Sequence, residues 1–250
     1  MRIAGEESSF APIGSGQEDE AYALAGRLRR FKLFAHLPAR DLTGIAALTR
    51  VLECPPGTWL WRQGDPSLQV LFIERGLATT SRQVREGVDR AYGIYGPGDS
   101  MGVFAIWTGM RYPTDAQVLN NSLTALCLET STLVRCVEQD PGLAEPLMME
   151  IGNFAEAFIR KIDIVSAGAV SRRVAALLAT LIERHGIPSG VNAARLPYKL
   201  TLAQIGSIAD ARIETVARVF SAWKKQGWLI VDSDGFHLLD LDRLKDHAGA

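Results

Sequence analysis

The sequence lacks any apolar run approaching the roughly 18 to 20 residues that cross a bilayer as a helix, so no membrane association is expected. Its first residues, MRIAGEESSFAPIGSGQEDEAY, are small and acidic and have no apolar stretch of the kind a secretory signal needs. A cytoplasmic protein opening on a flexible arm, residues 1–26, is the expectation. Cysteine is scarce: Cys54, Cys127 and Cys136 are odd in number and widely spaced. Such spacing argues against a disulfide framework and offers no paired motif for zinc or an iron–sulfur cluster, so no metal is expected. Charge of one sign is also missing, with a formal net charge of −1 from 27 basic and 28 acidic side chains, which excludes a single-sign field over the whole molecule. No Ser-His-Asp spacing, metal-ligand cluster or glycine-rich nucleotide loop is present, so an enzyme is not expected. What remains is a globular composition, 47% hydrophobic and 22% charged, in 250 residues, enough for two ordinary domains.

Between about Leu33 and Leu133 the chain is broken at short intervals by glycine and proline. Pro55-Pro56-Gly57, Gly64-Asp65, Gly76, Gly87, Gly96-Pro97-Gly98-Asp99 and Gly102 mark turns. The pieces between them, TWLWRQ, QVLFIERG, GLATTSRQV, RAYGIYG and LTALCLE, are rich in β-branched and aromatic residues. Short strands with regular turn signals predict an antiparallel barrel or jelly roll over residues 27–140. Ala39 to Leu52 carries apolar residues at helical spacing and predicts a short helix.

After Pro141 the texture changes. Leu147, Ile151, Phe154, Phe158, Ile162 and Val165 fall at spacings of 4, 3, 4, 4 and 3, a single stripe on a long helix over residues 141–168. The stripe packs either on its own roll or along the same helix of a second subunit, and the second reading predicts a homodimer. A further helix spans Val170 to His185, before Gly186, Pro188 and Gly190.

The clearest pattern is KLTLAQIGSIADARIETVARVFSAWKKQGWLIVDSDGFHLLD, starting at Lys199. Thr201 with Gln204 is a capping box that starts a helix, and Leu202, Ile205 and Ile208 form its buried face. A turn follows around Asp210. A second helix, about residues 211–225, carries Val216, Val219, Phe220 and Trp223 on one face and Glu214, Thr215 and Arg218 away from it. Lys224 and Lys225 close that helix with positive charge, and Asp234-Gly235 predicts a hairpin. Residues 169–250 therefore read as a winged helix-turn-helix. Residues 171–250 hold 11 basic and 8 acidic side chains against 16 and 20 in the rest, so the basic excess falls where phosphates would need neutralising.

With PPGTWLWRQGD and LFIERG, GPGDSMG, the long helix after Pro141 and IGSIADARIETVARV in this order, the chain resembles the superfamily of the cyclic-AMP receptor protein and the fumarate-nitrate-reduction regulator (Crp/Fnr). The resemblance covers nearly everything from Leu33 onward. It implies an α+β fold: an N-terminal antiparallel β-roll of the cyclic-nucleotide-binding kind, a long dimerisation helix, and a C-terminal winged helix-turn-helix. It also implies a transcription regulator that binds double-stranded DNA, reads half-sites about one helical turn apart, and works with RNA polymerase. Family recognition helices carry an Arg-Glu-Thr-Val-x-Arg-like run, matched here by Ile213-Glu214-Thr215-Val216-Ala217-Arg218. By that match Glu214 accepts from a cytosine amino group and Arg218 donates to guanine, while Ile213 replaces an arginine and can only touch a thymine methyl. An apolar residue there favours a TTG-type half-site. Thr201, Arg212, Thr215, Ala217 and Lys224 complete the expected DNA face. Arg212 stands where a Ser or Thr cap is common, leaving Asp210 as the cap or Arg212 as a phosphate contact. A surface ion pair between Glu214 and Arg218 is the competing reading.

The effector side of the resemblance is altered. Cyclic-AMP binders place a Glu just after the loop glycine and an Arg some ten residues on. Here Gly102 is followed by Val103 and Phe104, Thr114 stands at the Arg position, and Arg111 lies in the turn MRYP. Cyclic AMP in its usual pose is therefore not expected, because a buried phosphate needs a charged donor. No cysteine precedes Cys54, which excludes the family's N-terminal iron–sulfur cluster. No cofactor is predicted; haem is an alternative, with His36, Cys54 or a methionine as ligand. Three readings stay open for the loop around Val103, Phe104, Ile106, Trp107, Arg111 and Thr114: a site for an apolar or aromatic molecule, redox sensing by a cysteine instead, or plain core. A module of this kind binding protein rather than DNA is the remaining alternative.

Overall fold

The computed structural model describes residues 15–85, 88–106, 111–119 and 122–249. The chain opens on α1 (Ser15–Leu28), followed by α2 (Ala39–Ala46). Residues 15–26 are thus helical rather than a flexible arm, and residues 1–14 of that arm lie outside the described residues. Ala21, Leu24, Ala25 and Leu28 recur on one helical face and are buried, a pattern that the acidic residues around Asp19 hide. Arg27 forks onto the Glu74 carboxylate, with its Nε 2.9 Å from Oε1. The helix expected over Ala39–Leu52 stops at Ala46, where the Thr49 hydroxyl donates to the Ile45 carbonyl and turns the chain into a strand.

The roll consists of β1 (Arg50–Cys54), β2 (Trp59–Trp61), β3 (Gln69–Arg75), β4 (Ala78–Arg85), β5 (Val88–Tyr95), β6 (Ser100–Met101), β7 (Asp115–Val118) and β8 (Leu123–Glu129). They form two antiparallel sheets, in the orders β1-β8-β3-β6 and β2-β7-β4-β5. Strand β8 pairs on both sides, Leu71 opposite Cys127 and Leu52 opposite Ala125. Its near-continuous apolar run has a geometric reason. Leu123, Ala125 and Cys127 enter the roll interior with Leu71 and Ile73, whereas Leu126 and Leu128 point the other way. They meet Val70, Phe72, Phe31, Phe34 and Leu28 in a helical layer, where both Phe31 and Phe34 meet Phe72 edge-on. A strand buried on both faces loses the alternation of a half-exposed one.

Three helices follow: α3 (Thr130–Gln139), α4 (Ala144–Ser166) and α5 (Val170–His185). Helix α3 has no counterpart in the sequence reading, and α4 is the long helix expected over 141–168. The predicted stripe is split between two uses. Leu147 is buried, and Phe154 stacks on Phe104 at 4.6 Å and meets Phe158, so this part faces the chain's own roll. Ile151 and Val165 are half-buried, and Ile162 is exposed. The large apolar side chains left uncovered on α4 are Met148, Met149, Ile159 and Ile162. Of the expected seam, only Ile162 belongs to that free face. Leu147, Ile151 and Phe154 pack on the roll and its helical layer, and Phe158 meets Tyr92 of β5.

After α5 come β9 (Ile187–Gly190), β10 (Ala193–Leu196), α6 (Leu202–Ala209), α7 (Ile213–Lys225), β11 (Leu229–Val231), β12 (Phe236–Leu238) and α8 (Leu241–Ala248). The hairpin expected at Asp234-Gly235 is β11–β12, and it sits in a sheet of order β11-β12-β10-β9. This module does not hang free. Leu77, Ala91 and Leu119 of the roll share one core with Val174, Leu177, Leu178 and Leu181 of α5 and with Ile205 and Ile208 of α6. Arg184 at the end of α5 holds both Asp99 oxygens at 2.6 Å.

Beside that pair, His185 lies against Gly96, where a Cβ would come within 2.6 Å of the ring. Its Nε2 is buried and has no hydrogen-bond partner. Burial, with the Arg184 charge adding to it, pushes the imidazole pKa from 6.5 down to about 4. A depressed folded-state pKa gives stability that is complete above pH 6.5 and lost as pH falls through 4. Thermal midpoints taken from pH 7 to 4 should therefore fall more steeply in the native protein than in His185→Gln. The expected difference is about 1–2 kcal/mol, allowing for the partial solvation of this ring.

Candidate nucleic-acid interface and effector cavity

Helix α6 starts where the capping box puts it: the Thr201 hydroxyl accepts from the Gln204 N–H at 3.1 Å, and Gln204 Oε1 accepts from the Thr201 N–H at 2.8 Å. It ends at Asp210, the one described non-glycine residue with positive φ, at 51°. The Ala211 N–H returns to the Gly206 carbonyl at 2.8 Å. A Cβ on Gly206 would stand 2.7 Å from the Ala211 carbonyl oxygen, so only glycine lets α6 and the start of α7 approach this closely.

Helix α7 buries Val216, Phe220 and Trp223 against α6, β12 and Trp228. The opposite face is open. Arg212, Ile213, Glu214, Arg218, Lys224 and Lys225 are exposed, and Thr215 and Ala217 are half-exposed. The Glu214–Arg218 ion pair does not form: Arg218 Nη2 donates instead to Thr215 Oγ1 at 3.3 Å, and Glu214 makes no salt bridge among the described residues. Arg212 occupies the N-cap position in an extended conformation; its carbonyl accepts from the Thr215 and Val216 N–H groups, and no side chain caps those of Ile213 and Glu214. Asp210 does not cap α7. Its carboxylate pairs with Arg90 of β5 at 3.4 Å, and its carbonyl accepts from Arg173 at 2.8 Å.

Sequence reasoning missed the residues that hold this turn. Lys161 of α4 donates to the Ile208 carbonyl, and Arg173 of α5 and Arg90 of the roll both reach Asp210. Burial lowers the Lys161 pKa to about 8, opposed by the Asp210 charge. These basic residues come from three separate segments, so no local pattern brings them together.

The second candidate site lies inside the roll, under α4, with about 430 Å³ of unfilled space, part of it open to solvent. Of the expected residues, Val103, Phe104 and Thr114 line it. Ile106 is turned into the helical layer with Leu126 and Leu128. Arg111 is exposed and donates to the Gly64 carbonyl at 2.6 Å, outside the cavity wall, and Trp107 lies outside the described residues. Gly102 keeps φ at +89°, and a Cβ there would come within 2.8 Å of the Gln69 carbonyl, which explains the glycine independently of any ligand. The wall also contains residues that the sequence did not single out: Trp61, Ser100, Tyr112 and Glu150. Trp61 stacks on Tyr112 at 4.1 Å. Glu150 is 7% exposed and accepts from the Ser100 hydroxyl.

His36 is exposed, and neither His36 nor Cys54 lines the cavity, so these two offer a haem iron no shared site there. All three cysteines are buried, and burial raises the Cys54 and Cys136 thiols above their usual pKa. Among the described residues no cluster of His, Cys, Asp and Glu is arranged to hold a metal ion, and no helix is long and apolar enough to cross a membrane.

Comparison with known proteins gives two family matches: a cyclic nucleotide-binding domain over residues 51–140 and a Crp-like helix-turn-helix domain over residues 172–247. A CRP-like cAMP-activated global transcriptional regulator of Mycobacterium tuberculosis is 25% identical over 210 residues, covering 82% of this chain and 92% of its own. The transcriptional activator protein anr of Pseudomonas aeruginosa is 27% identical over 194 residues, 77% of this chain and 78% of its own. In fold, FixK2 from Bradyrhizobium japonicum superposes with a TM-score of 0.69 at 18% identity, covering 81% of this chain and 98% of that one.

Proposed function

We propose, since this chain belongs to the Crp/Fnr superfamily and is a transcription regulator with a helix-turn-helix DNA-binding domain, that it acts as a cytoplasmic homodimer on a palindromic promoter site. The observation that carries this reading is the two-sided character of α7. Its apolar face closes the core of the module, and its other face presents Glu214 and Arg218, neither paired with the other, beside an uncapped helix start. In the proposed complex Arg218 donates to guanine O6 and N7, and Glu214 accepts from a cytosine amino group. Ile213, 49% exposed, meets a thymine methyl. Arg212, Thr201 and Lys224 contact phosphate, and Thr215 and Ala217 complete the fit. RNA polymerase is the proposed partner for activation.

The dimer contact proposed is the free face of α4, Met148, Met149, Ile159 and Ile162, rather than the whole stripe read from the sequence. The cavity residues support no cyclic AMP in the usual pose: the wall has Thr114 where a phosphate would need an arginine, and Arg111 is engaged elsewhere. Burial, which raises the Cys54 and Cys136 thiols, also speaks against these two as sensors. A footprint on the promoter of the protein's own gene tests the proposal. Protection of two inverted half-sites about one helical turn apart is expected. Protection without a dyad, or none, would refute it.

A further inference from the structure

Most polar groups that could receive an anion in the roll cavity are already committed. The Trp61 indole N–H donates to the Thr114 carbonyl at 3.1 Å, and the Tyr112 hydroxyl donates to the Gln69 carbonyl at 2.7 Å. Thr80 and Thr114 supply hydroxyls of either sense. No arginine, lysine or histidine stands among the described residues of the wall. The one carboxylic acid among the described residues of the wall is Glu150, 7% exposed on α4, which takes one hydrogen bond from Ser100 and makes no ion pair among the described residues. A carboxyl group withdrawn from water with one hydroxyl for company keeps unused hydrogen-bonding capacity for an incoming donor. Around it stand two aromatic stacks, Phe104 on Phe154 at 4.6 Å and Trp61 on Tyr112 at 4.1 Å, whose ring faces attract cations.

We infer that this cavity binds a small organic cation with a flat apolar body, such as an arylalkyl ammonium or an arylamidinium. The ammonium pairs with Glu150, and the ring lies against Phe104 and Phe154. This rests on reading the roll as the effector-binding part of the regulator. The site thereby takes a ligand of charge opposite to a cyclic nucleotide. Because Glu150 and Phe154 lie on α4, the ligand would be held between the roll and the long helix.

Thermal unfolding of the full chain is measured with benzylammonium, its uncharged isostere benzyl alcohol, benzoate and cyclic AMP. In parallel, operator affinity is followed by mobility shift. Benzylammonium is expected to raise the midpoint, with benzoate and cyclic AMP leaving it unchanged and benzyl alcohol giving a shift smaller by half or more. Glu150→Gln should weaken benzylammonium at least tenfold and keep operator affinity within twofold. Ser100→Ala, which leaves the carboxylate in place, should retain the benzylammonium shift and covers the case in which the Glu150 variant fails to fold. No benzylammonium shift, an equal shift with benzoate or cyclic AMP, or loss of the shift in Ser100→Ala overturns the inference. An undiminished response in a folded Glu150→Gln protein does the same. Operator binding is read independently, so a protein that binds DNA but ignores benzylammonium defeats this inference alone, and the reverse result defeats the regulator reading.

Discussion

Replacing Arg218 by alanine is expected to abolish sequence-specific DNA binding and leave a weak, salt-sensitive association with any duplex. Arg218 is exposed on α7, and its one observed contact is the local hydrogen bond to Thr215. The substitution therefore removes little from the fold. A bidentate arginine–guanine contact is worth about 1–3 kcal/mol of discrimination. The proposed twofold dimer would lose two of them, so specific affinity should fall by roughly 30-fold to 10⁴-fold. The non-specific component rests on phosphate neutralisation and should keep most of its strength and salt slope. A mobility-shift titration against operator and scrambled duplexes distinguishes the two effects. Retention of the native sequence preference by the variant would remove Arg218 from the reading face.

Trp223→Ala is expected to give the largest loss of stability. Trp223 is 3% exposed and stands at the meeting point of the module's aromatic side chains, with ring centroids 4.4 Å from Trp228, 6.0 Å from Phe220 and 5.8 Å from His247. Truncating a buried tryptophan to alanine costs about 3–5 kcal/mol, which approaches the total stability of a marginal domain. Denaturant unfolding should show this loss, and specific and non-specific DNA binding should disappear together. That joint loss separates the variant from Arg218→Ala, in which only specificity goes.

The helix-turn-helix was legible because its signals are local: the Thr201–Gln204 box, the spacing of Val216, Phe220 and Trp223, and the Asp234-Gly235 turn each lie within a few residues. The strands from Trp59 to Glu129 were legible for the same reason. What escaped depended on partners far away in sequence. Helix α1 became recognisable only once Phe72 and Leu28 met in the helical layer. The stripe on α4 carried a correct periodicity, but periodicity does not say which neighbour covers it, and the roll took Leu147 and Phe154. Glu150 was invisible because a lone carboxylate on an amphipathic helix is ordinarily solvated, and only Ser100, fifty residues earlier, shows that it points inward. Arg111 was adjacent in sequence to the cavity loop and is directed outward.

The way the turn at Asp210 is held bears on how a salt titration of this protein should be interpreted. The Arg90–Asp210 pair is half-exposed, and such pairs contribute about 0–1 kcal/mol. Arg184–Asp99 is better sheltered from mobile ions. The docking of the reading module on the roll therefore rests chiefly on Leu77, Ala91 and Leu119 against α5 and α6, and added salt does not weaken apolar burial. The slope of DNA affinity against salt will thus count the phosphates that the protein neutralises, undistorted by any loosening of the protein itself.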